Sequence, residues 1–211
     1  MSEFWEHAYS SHKKMWGENP TDNARNVLEL FQRHRIKNVL IPGFGYGRNA
    51  KVFYDAGMKV SGIEISKTAI ERARKYFGLD ACIHHGSVTD MPFDNARFEA
   101  IYCYSLIHLL SEAGRVKLIE DCYAQLLPNG MMIFVALSKN DHRYGEGTEV
   151  ETNTFQSPNG LNLYFYDEAT VREEFGSYNI TSLKEIHEPE DQPNEVHWMI
   201  ICKKNQVNQQ P

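Results

Sequence analysis

The sequence predicts an α/β protein built on a doubly wound sheet of about seven strands, mostly parallel, with a C-terminal antiparallel hairpin and helices on both faces. Three observations carry this. Five short apolar or β-branched runs, 38–41, 59–65, 81–85, 98–104 and 131–137, have the composition of strands buried on both faces. Their starts fall 21, 22, 17 and 33 residues apart, which is the room taken by a strand, a crossover helix and two turns, so parallel pairing follows. Two later runs, 180–187 and 195–203, are joined only by a connector rich in Pro, Glu, Asp and Asn, too short for a crossover, and so form a hairpin.

Each element has its own signal. Residues 1–20 carry Phe4, Trp5, Tyr9 and Trp16, an aromatic density suited to a covering lid. A helix over 21–35 has Thr21 as N-cap, Ala24, Val27, Leu28 and Phe31 as its apolar face, and cations in its last turn. Ser66 caps a helix striped by Ala69, Ile70, Ala73, Tyr76 and Phe77 and stopped by Gly78. Ser111 caps another, whose stripe is Val116, Ile119, Glu120, Tyr123, Leu126 and Leu127 and whose stop is Asn129-Gly130. The stretch 138–160 is polar, contains glycine and lacks a period, as functional or mobile loops do. Asp167 caps a short helix ending at Gly176. One domain over 1–204 is expected, divided into lid and first helix (1–36), core (37–137), loop (138–166) and helix with hairpin (167–204), followed by a disordered tail, 205–211.

Composition narrows the function. With 42% apolar and 24% charged residues in 211, the chain is globular rather than disordered, collagenous or disulfide-framed. Its longest apolar run has seven residues, against the ~20 of a transmembrane helix, and its N-terminus mixes acids with histidines, unlike a secretory signal. A cytoplasmic location and no membrane partner are expected. Twenty-eight acids against 22 bases give a net charge of -6, and the basic runs are short, which argues against nucleic acid as a partner. The four cysteines, Cys82, Cys103, Cys122 and Cys202, are widely spaced in apolar stretches and read as buried free thiols. His84 and His85 are adjacent on a strand and point to opposite faces, so no metal site is expected.

The chemistry starts with the segment IPGFGYGRN, residues 41–49, directly after the first strand. Gly43, Gly45 and Gly47 alternate, which permits positive φ and lets a ligand lie against bare backbone at the opening of the next helix. A tight strand-to-helix connection alone would use the same residues. Glu64 ends the second strand 21 residues after Gly43, where an acid accepts hydrogen bonds from both hydroxyls of a ribose. An acid favoured by the dipole of the following helix would also stand there. Together, turn and acid point to a nucleoside. Arg48 occupies the place of the third glycine of the dinucleotide pattern, which fits a pyrophosphate poorly.

Over nearly its whole length the chain resembles the class I S-adenosylmethionine-dependent methyltransferases, which are Rossmann-like. The resemblance rests on the glycine turn, Glu64, GSVTDMPF at 86–93 and FEAIYCYSLIHLL at 98–110. Trp5, Tyr9, Trp16-Gly17 and the GRN at 47–49 look most like small-molecule enzymes of the tellurite-resistance and thiopurine methyltransferase type. The resemblance implies that Gly43, Gly45 and Gly47 line the methionine and ribose portions of S-adenosylmethionine, that Glu64 with Ile65 holds the ribose, and that Ser87 and Val88 meet adenine. The family's usual acids at the positions of Ser87 and Ile41 are missing, with Asp90 a substitute for the first. Tyr104 and Ser105 fall beside the methionine moiety. Arg48 either pairs with the methionine carboxylate or is a surface arginine, and Trp16 and Tyr9 either close over the sulfonium or simply pack.

Methyl transfer from a sulfonium is an in-line displacement in which the protein chiefly aligns the reactants, leaving S-adenosyl-L-homocysteine as product. A hydroxyl or amine acceptor also needs a base, for which His108, His142 and Tyr104 are the candidates. His108 either faces the substrate or packs beneath the following helix. His142, Arg143 and Tyr144 lie in the loop that borders the acceptor pocket in this family, and are otherwise solvated loop residues. The expected activity is therefore methylation of a small-molecule acceptor by a monomer or homodimer. The alternatives are an NAD(P)-dependent oxidoreductase and a non-catalytic nucleotide-sensing module.

Overall fold

The computed structural model describes residues 2–11, 17–92, 96–189, 191 and 193–206, apart from the side chains of Tyr76 and Phe77. Trp16, the Tyr76 and Phe77 side chains expected on the stripe of the Ser66-capped helix, Phe93 and residues 207–211 of the tail lie outside the described residues. The chain divides into two compact units, Met1–Ala100 and Ile101–Pro211.

The first unit runs α1 (Ser2–Ser11), α2 (Asp22–Arg33), β1 (Asn38–Pro42), α3 (Ala50–Asp55), β2 (Lys59–Glu64), α4 (Lys67–Phe77) and β3 (Cys82–His85), and then enters β4 (Phe98–Tyr104). The second runs through a 3-10 turn (Ile107–Leu109), α5 (Glu112–Gln125), β5 (Leu126–Leu137), β6 (Thr148–Glu151), β7 (Thr154–Gln156), β8 (Asn162–Tyr164), α6 (Glu168–Phe175), β9 (Ile180–His187) and β10 (Val196–Lys203). Seven strands make one sheet in the order β3-β2-β1-β4-β5-β10-β9, the doubly wound arrangement with a terminal hairpin that the strand spacing predicts. The strand order turns back at β1, and ligands of such sheets lie at the carboxyl ends of strands near that point.

In the first unit β1 pairs parallel with β2 from Asn38↔Lys59 to Pro42↔Ile63, and β2 with β3 from Ser61↔Cys82 to Glu64↔His85. The register thus sets Glu64 at the strand end, one step beyond the last β1 partner. Thr21 caps α2 by accepting from the Ala24 N–H at 3.2 Å, and Val27 and Phe31 turn inward, Phe31 against Phe53 with ring centroids 5.4 Å apart. Ser66 caps α4 in the same manner and Gly78 ends it at φ 58°, with Ala69, Ile70 and Ala73 buried between. Cys82 is a correction: β3 leaves it exposed, because only Ile83 of that strand turns inward.

In the second unit β10 is antiparallel to both β5 and β9, with His197 opposite Leu137 on one side and Ile186 on the other. Residues 131–137 are all buried. Three expectations need correcting. The strand before the hairpin starts at Leu126, not Met131, because Pro128 disfavours helical backbone at Leu127 and ends α5 ahead of the Asn129-Gly130 pair. The buried face of α5 is Arg115, Leu118, Ile119, Cys122 and Gln125, while Val116 is 41% exposed. A charged residue takes the inward position since Arg115 finds Glu174, at 2.8 Å, and stacks its guanidinium 3.7 Å from the centre of the Tyr164 ring. The stretch 138–160 is not simply a loop. It holds β6 and β7, which with β8 form a three-stranded antiparallel sheet. Every residue of β6 is exposed, so no alternation marks it in the sequence.

No helix among the described residues is long and apolar enough to cross a membrane, and no group of three or more His, Cys, Asp or Glu among them is arranged to hold a metal ion.

Candidate functional site

In the first unit the turn after β1 is pinned to the end of β2. The Gly43 and Phe44 N–H groups both donate to the Ile63 carbonyl at 3.0 Å, and the Gly47 N–H donates to the Phe44 carbonyl at 3.2 Å. Gly43, Gly45 and Gly47 have φ of 68°, 56° and 87°, the left-handed region in which side chains are strained. A Cβ on Gly47 would stand 2.5 Å from Leu79, so this glycine serves packing as well as conformation. Phe44 folds under the turn onto Gly62, where a Cβ would meet its ring at 2.1 Å. Sequence reasoning missed Gly62, although a glycine inside a buried strand is a signal of close approach. The helix after the turn begins only at Ala50, since Asn49 spends its side chain accepting from the Thr21 N–H at 3.0 Å.

Glu64 is 5% exposed and turned into this turn. One carboxylate oxygen accepts from the Gly45 N–H at 2.7 Å and the other from the Ser66 N–H at 2.9 Å. Burial pushes its pKa up, and these backbone N–H groups work against the shift. The Tyr9 hydroxyl lies over Gly45, 3.1 Å from where a Cβ would be, with Tyr9 itself buried edge-on to Tyr46. Burial and then the Glu64 charge push the Tyr9 phenol well up, while Arg48 acts the other way, which brings Arg48 to the same turn. Ile65 is half-buried, its carbonyl 3.1 Å from His85 Nε2. Ser87 ties its hydroxyl to the Thr89 side chain and N–H, Val88 is buried, and Asp90 is exposed.

In the second unit Tyr104 is half-buried at the end of β4, its ring tilted on Tyr102 at 6.0 Å, and Ser105 follows at φ 49° with its N–H on the Val135 carbonyl. His108 is buried and its Nδ1 takes the Leu137 N–H at 3.3 Å, so the ring carries its proton on Nε2. Burial first, and then His197 and Arg143, hold it well below the usual imidazole range. The ring is buried against the end of β5. His142 is exposed, with Nδ1 3.1 Å from the Asn194 carbonyl. Arg143 donates to Asp141 through Nε and Nη2 at 2.7 and 2.8 Å, and Tyr144 packs edge-on against Phe155 and Phe165. Asp141 and His197, both buried, were not legible in the sequence. Asp141 looks like any loop acid, and His197 occupies an ordinary position in a hydrophobic strand.

Residues 39–130 match the family model of a methyltransferase domain. Among characterised proteins, thiocyanate methyltransferase 1 of Brassica oleracea is 24% identical over 155 residues, 68% of this chain and 69% of the relative. Among solved structures, 1,6-didemethyltoxoflavin-N1-methyltransferase of Burkholderia thailandensis, with 1,6-didemethyltoxoflavin and S-adenosylhomocysteine bound, superposes with a TM-score of 0.74 at 13% identity, covering 97% of this chain and 87% of its own. The CcbJ methyltransferase of Streptomyces caelestis superposes with a TM-score of 0.72 at 16% identity, over 95% and 98% of the two chains.

Proposed function

We propose that this chain, a methyltransferase, takes its methyl group from S-adenosylmethionine and passes it to a small-molecule acceptor. The observation that carries the reading is the Glu64 carboxylate, buried at the carboxyl end of β2 and facing a glycine turn whose three left-handed positions leave bare backbone. A carboxylate offers about four acceptor positions, and the Gly45 and Ser66 N–H groups each occupy one. The capacity that is left suits the hydroxyls of a ribose. The residues therefore fit the cofactor. Glu64 and Ile65 hold the sugar, Gly43, Gly45 and Gly47 give the backbone room beside it, Ser87 and Val88 meet the base, and Tyr9 and Arg48 sit over the turn.

When bound, the sulfonium supplies an electrophilic methyl group that an acceptor atom displaces in line. The protein's part is alignment and exclusion of water. Small-molecule acceptors are supported by the relatives described above, whose names give thiocyanate and 1,6-didemethyltoxoflavin. Neither the oxidoreductase nor the sensing module gains support from them. Thermal unfolding tests the choice of cofactor: S-adenosylhomocysteine at a hundred times its Kd stabilises by about 2.7 kcal/mol, whereas NADH and NADPH leave the midpoint unmoved. A rise with the nicotinamide cofactors alone overturns the reading.

A further inference from the structure

In the first unit the carboxyl ends of β2 and β3 stand side by side, with Glu64 opposite His85 as the last register pair. The ladder goes one bond further, from the Gly86 N–H to the Glu64 carbonyl at 3.0 Å. The next carbonyl, that of Ile65, lies past the paired residues, and there a side chain takes over: His85 Nε2 stands 3.1 Å from it. A carbonyl oxygen accepts, so this ring nitrogen carries a proton and donates. The same peptide unit is engaged at its other end, where the Ser66 N–H donates to Glu64 Oε1 at 2.9 Å. A planar trans peptide points its C=O and N–H in opposite directions, so fixing the carbonyl fixes where the N–H is aimed. A donor on the oxygen also polarises the unit and strengthens its N–H. The second Glu64 oxygen is held by the Gly45 N–H at 2.7 Å. The rotation of this buried carboxylate is thus set by two backbone donors, and one of them is controlled from β3.

We propose that His85 is a positioning residue for the cofactor. By holding the Ile65 carbonyl it orients the Ile65–Ser66 peptide, and through the Ser66 N–H it turns the Glu64 carboxylate so that its remaining acceptor positions meet the ribose hydroxyls. The inference rests on the methyltransferase reading and adds to it a residue that acts through Glu64. No proton is transferred in this role. The site needs an N–H at the place of Nε2, which a glutamine amide supplies and a phenylalanine ring of similar shape lacks.

The test compares the full-length wild type, His85→Gln and His85→Phe by calorimetric titration with S-adenosylhomocysteine. His85→Phe should bind about fivefold more weakly, the worth of one hydrogen bond at an exposed position, and His85→Gln within about twofold of the wild type. The Ser66 amide proton reports the link to Glu64: it is expected to move upfield in His85→Phe, as a weakened donor does, and to hold its place in His85→Gln. Equal affinity in His85→Phe and the wild type, a His85→Gln as weak as His85→Phe, or a Ser66 amide that stays put in His85→Phe overturns the proposal. Where His85→Phe does not fold, wild-type protein labelled with 15N at histidine decides, with His85 assigned through the spectrum of His85→Gln. A ring protonated on Nε2 is expected, and one protonated on Nδ1 alone overturns the proposal. Wild-type protein that fails to bind S-adenosylhomocysteine while His85 keeps its proton on Nε2 overturns the methyltransferase reading itself, a result separable from the others.

Discussion

At the scale of residues, the site depends on atoms that are missing. Gly62 carries no Cβ, and the Phe44 ring fills that space beneath the glycine turn. Gly62→Ala is expected to cost about 1–3 kcal/mol in urea unfolding, as overpacking does, and to weaken S-adenosylhomocysteine binding because the turn must shift. Unchanged stability with unchanged binding would show the ring to be free to move aside. Burial also separates the thiols. Cys103, Cys122 and Cys202 are buried and pushed up by desolvation, Cys202 to about 12, whereas Cys82 is exposed. A thiol reagent under native conditions should modify Cys82 alone, and Cys82→Ser should abolish that reaction. Glu64 could be read from its spacing to a local glycine pattern. Arg115 and His197 could not, since what buries them stands far off in sequence, as Glu174 does 59 residues from Arg115.

At the scale of elements, two tethers matter. Glu6 of α1 accepts from the Ser66 hydroxyl at 2.7 Å and from the Thr68 hydroxyl, which hangs α1 on the first turn of α4 and lowers the Glu6 pKa. Glu6→Ala should raise amide exchange through α1 while α4 keeps its protection, and equal exchange in the two proteins would make Tyr9 packing the whole anchor. In the second unit Arg115, Glu174 and the Tyr166 hydroxyl, 2.7 Å from Glu174, link α5, α6 and the segment that follows β8. Arg115→Ala leaves a buried carboxylate uncompensated and is expected to cost about 3–5 kcal/mol, while pairing it with Glu174→Leu should recover much of that loss. The strands of the main sheet were readable because burial on both faces makes them continuously apolar. The small sheet β6–β8 was not, because its first strand is wet on both sides and its turns rest on Gly147 and Asn153, at φ 88° and 60°.

At the scale of the whole molecule, acid is the informative perturbation. His108 and His197 are buried and held neutral, His197 down to about 4. A histidine whose folded pKa is depressed contributes stability that is complete above its unfolded value near 6.5 and is lost as pH falls through the folded one. The urea midpoint should therefore drop between about pH 6.5 and 4, and less steeply in His197→Gln. Glu64 has the opposite sign. Its raised pKa favours the fold below the ordinary carboxylate value, an advantage lost as pH rises through the folded one, so burying this acid costs stability as it ionises. That cost is what a binding role would explain. Calorimetric titration of S-adenosylhomocysteine into the wild type and Glu64→Ala measures it directly. Saturable binding to the wild type is expected, weakened about a hundredfold or more in Glu64→Ala by the loss of two charge-assisted hydrogen bonds, with the variant still folded. Equal affinity in the two proteins, or none in the wild type, would contradict it.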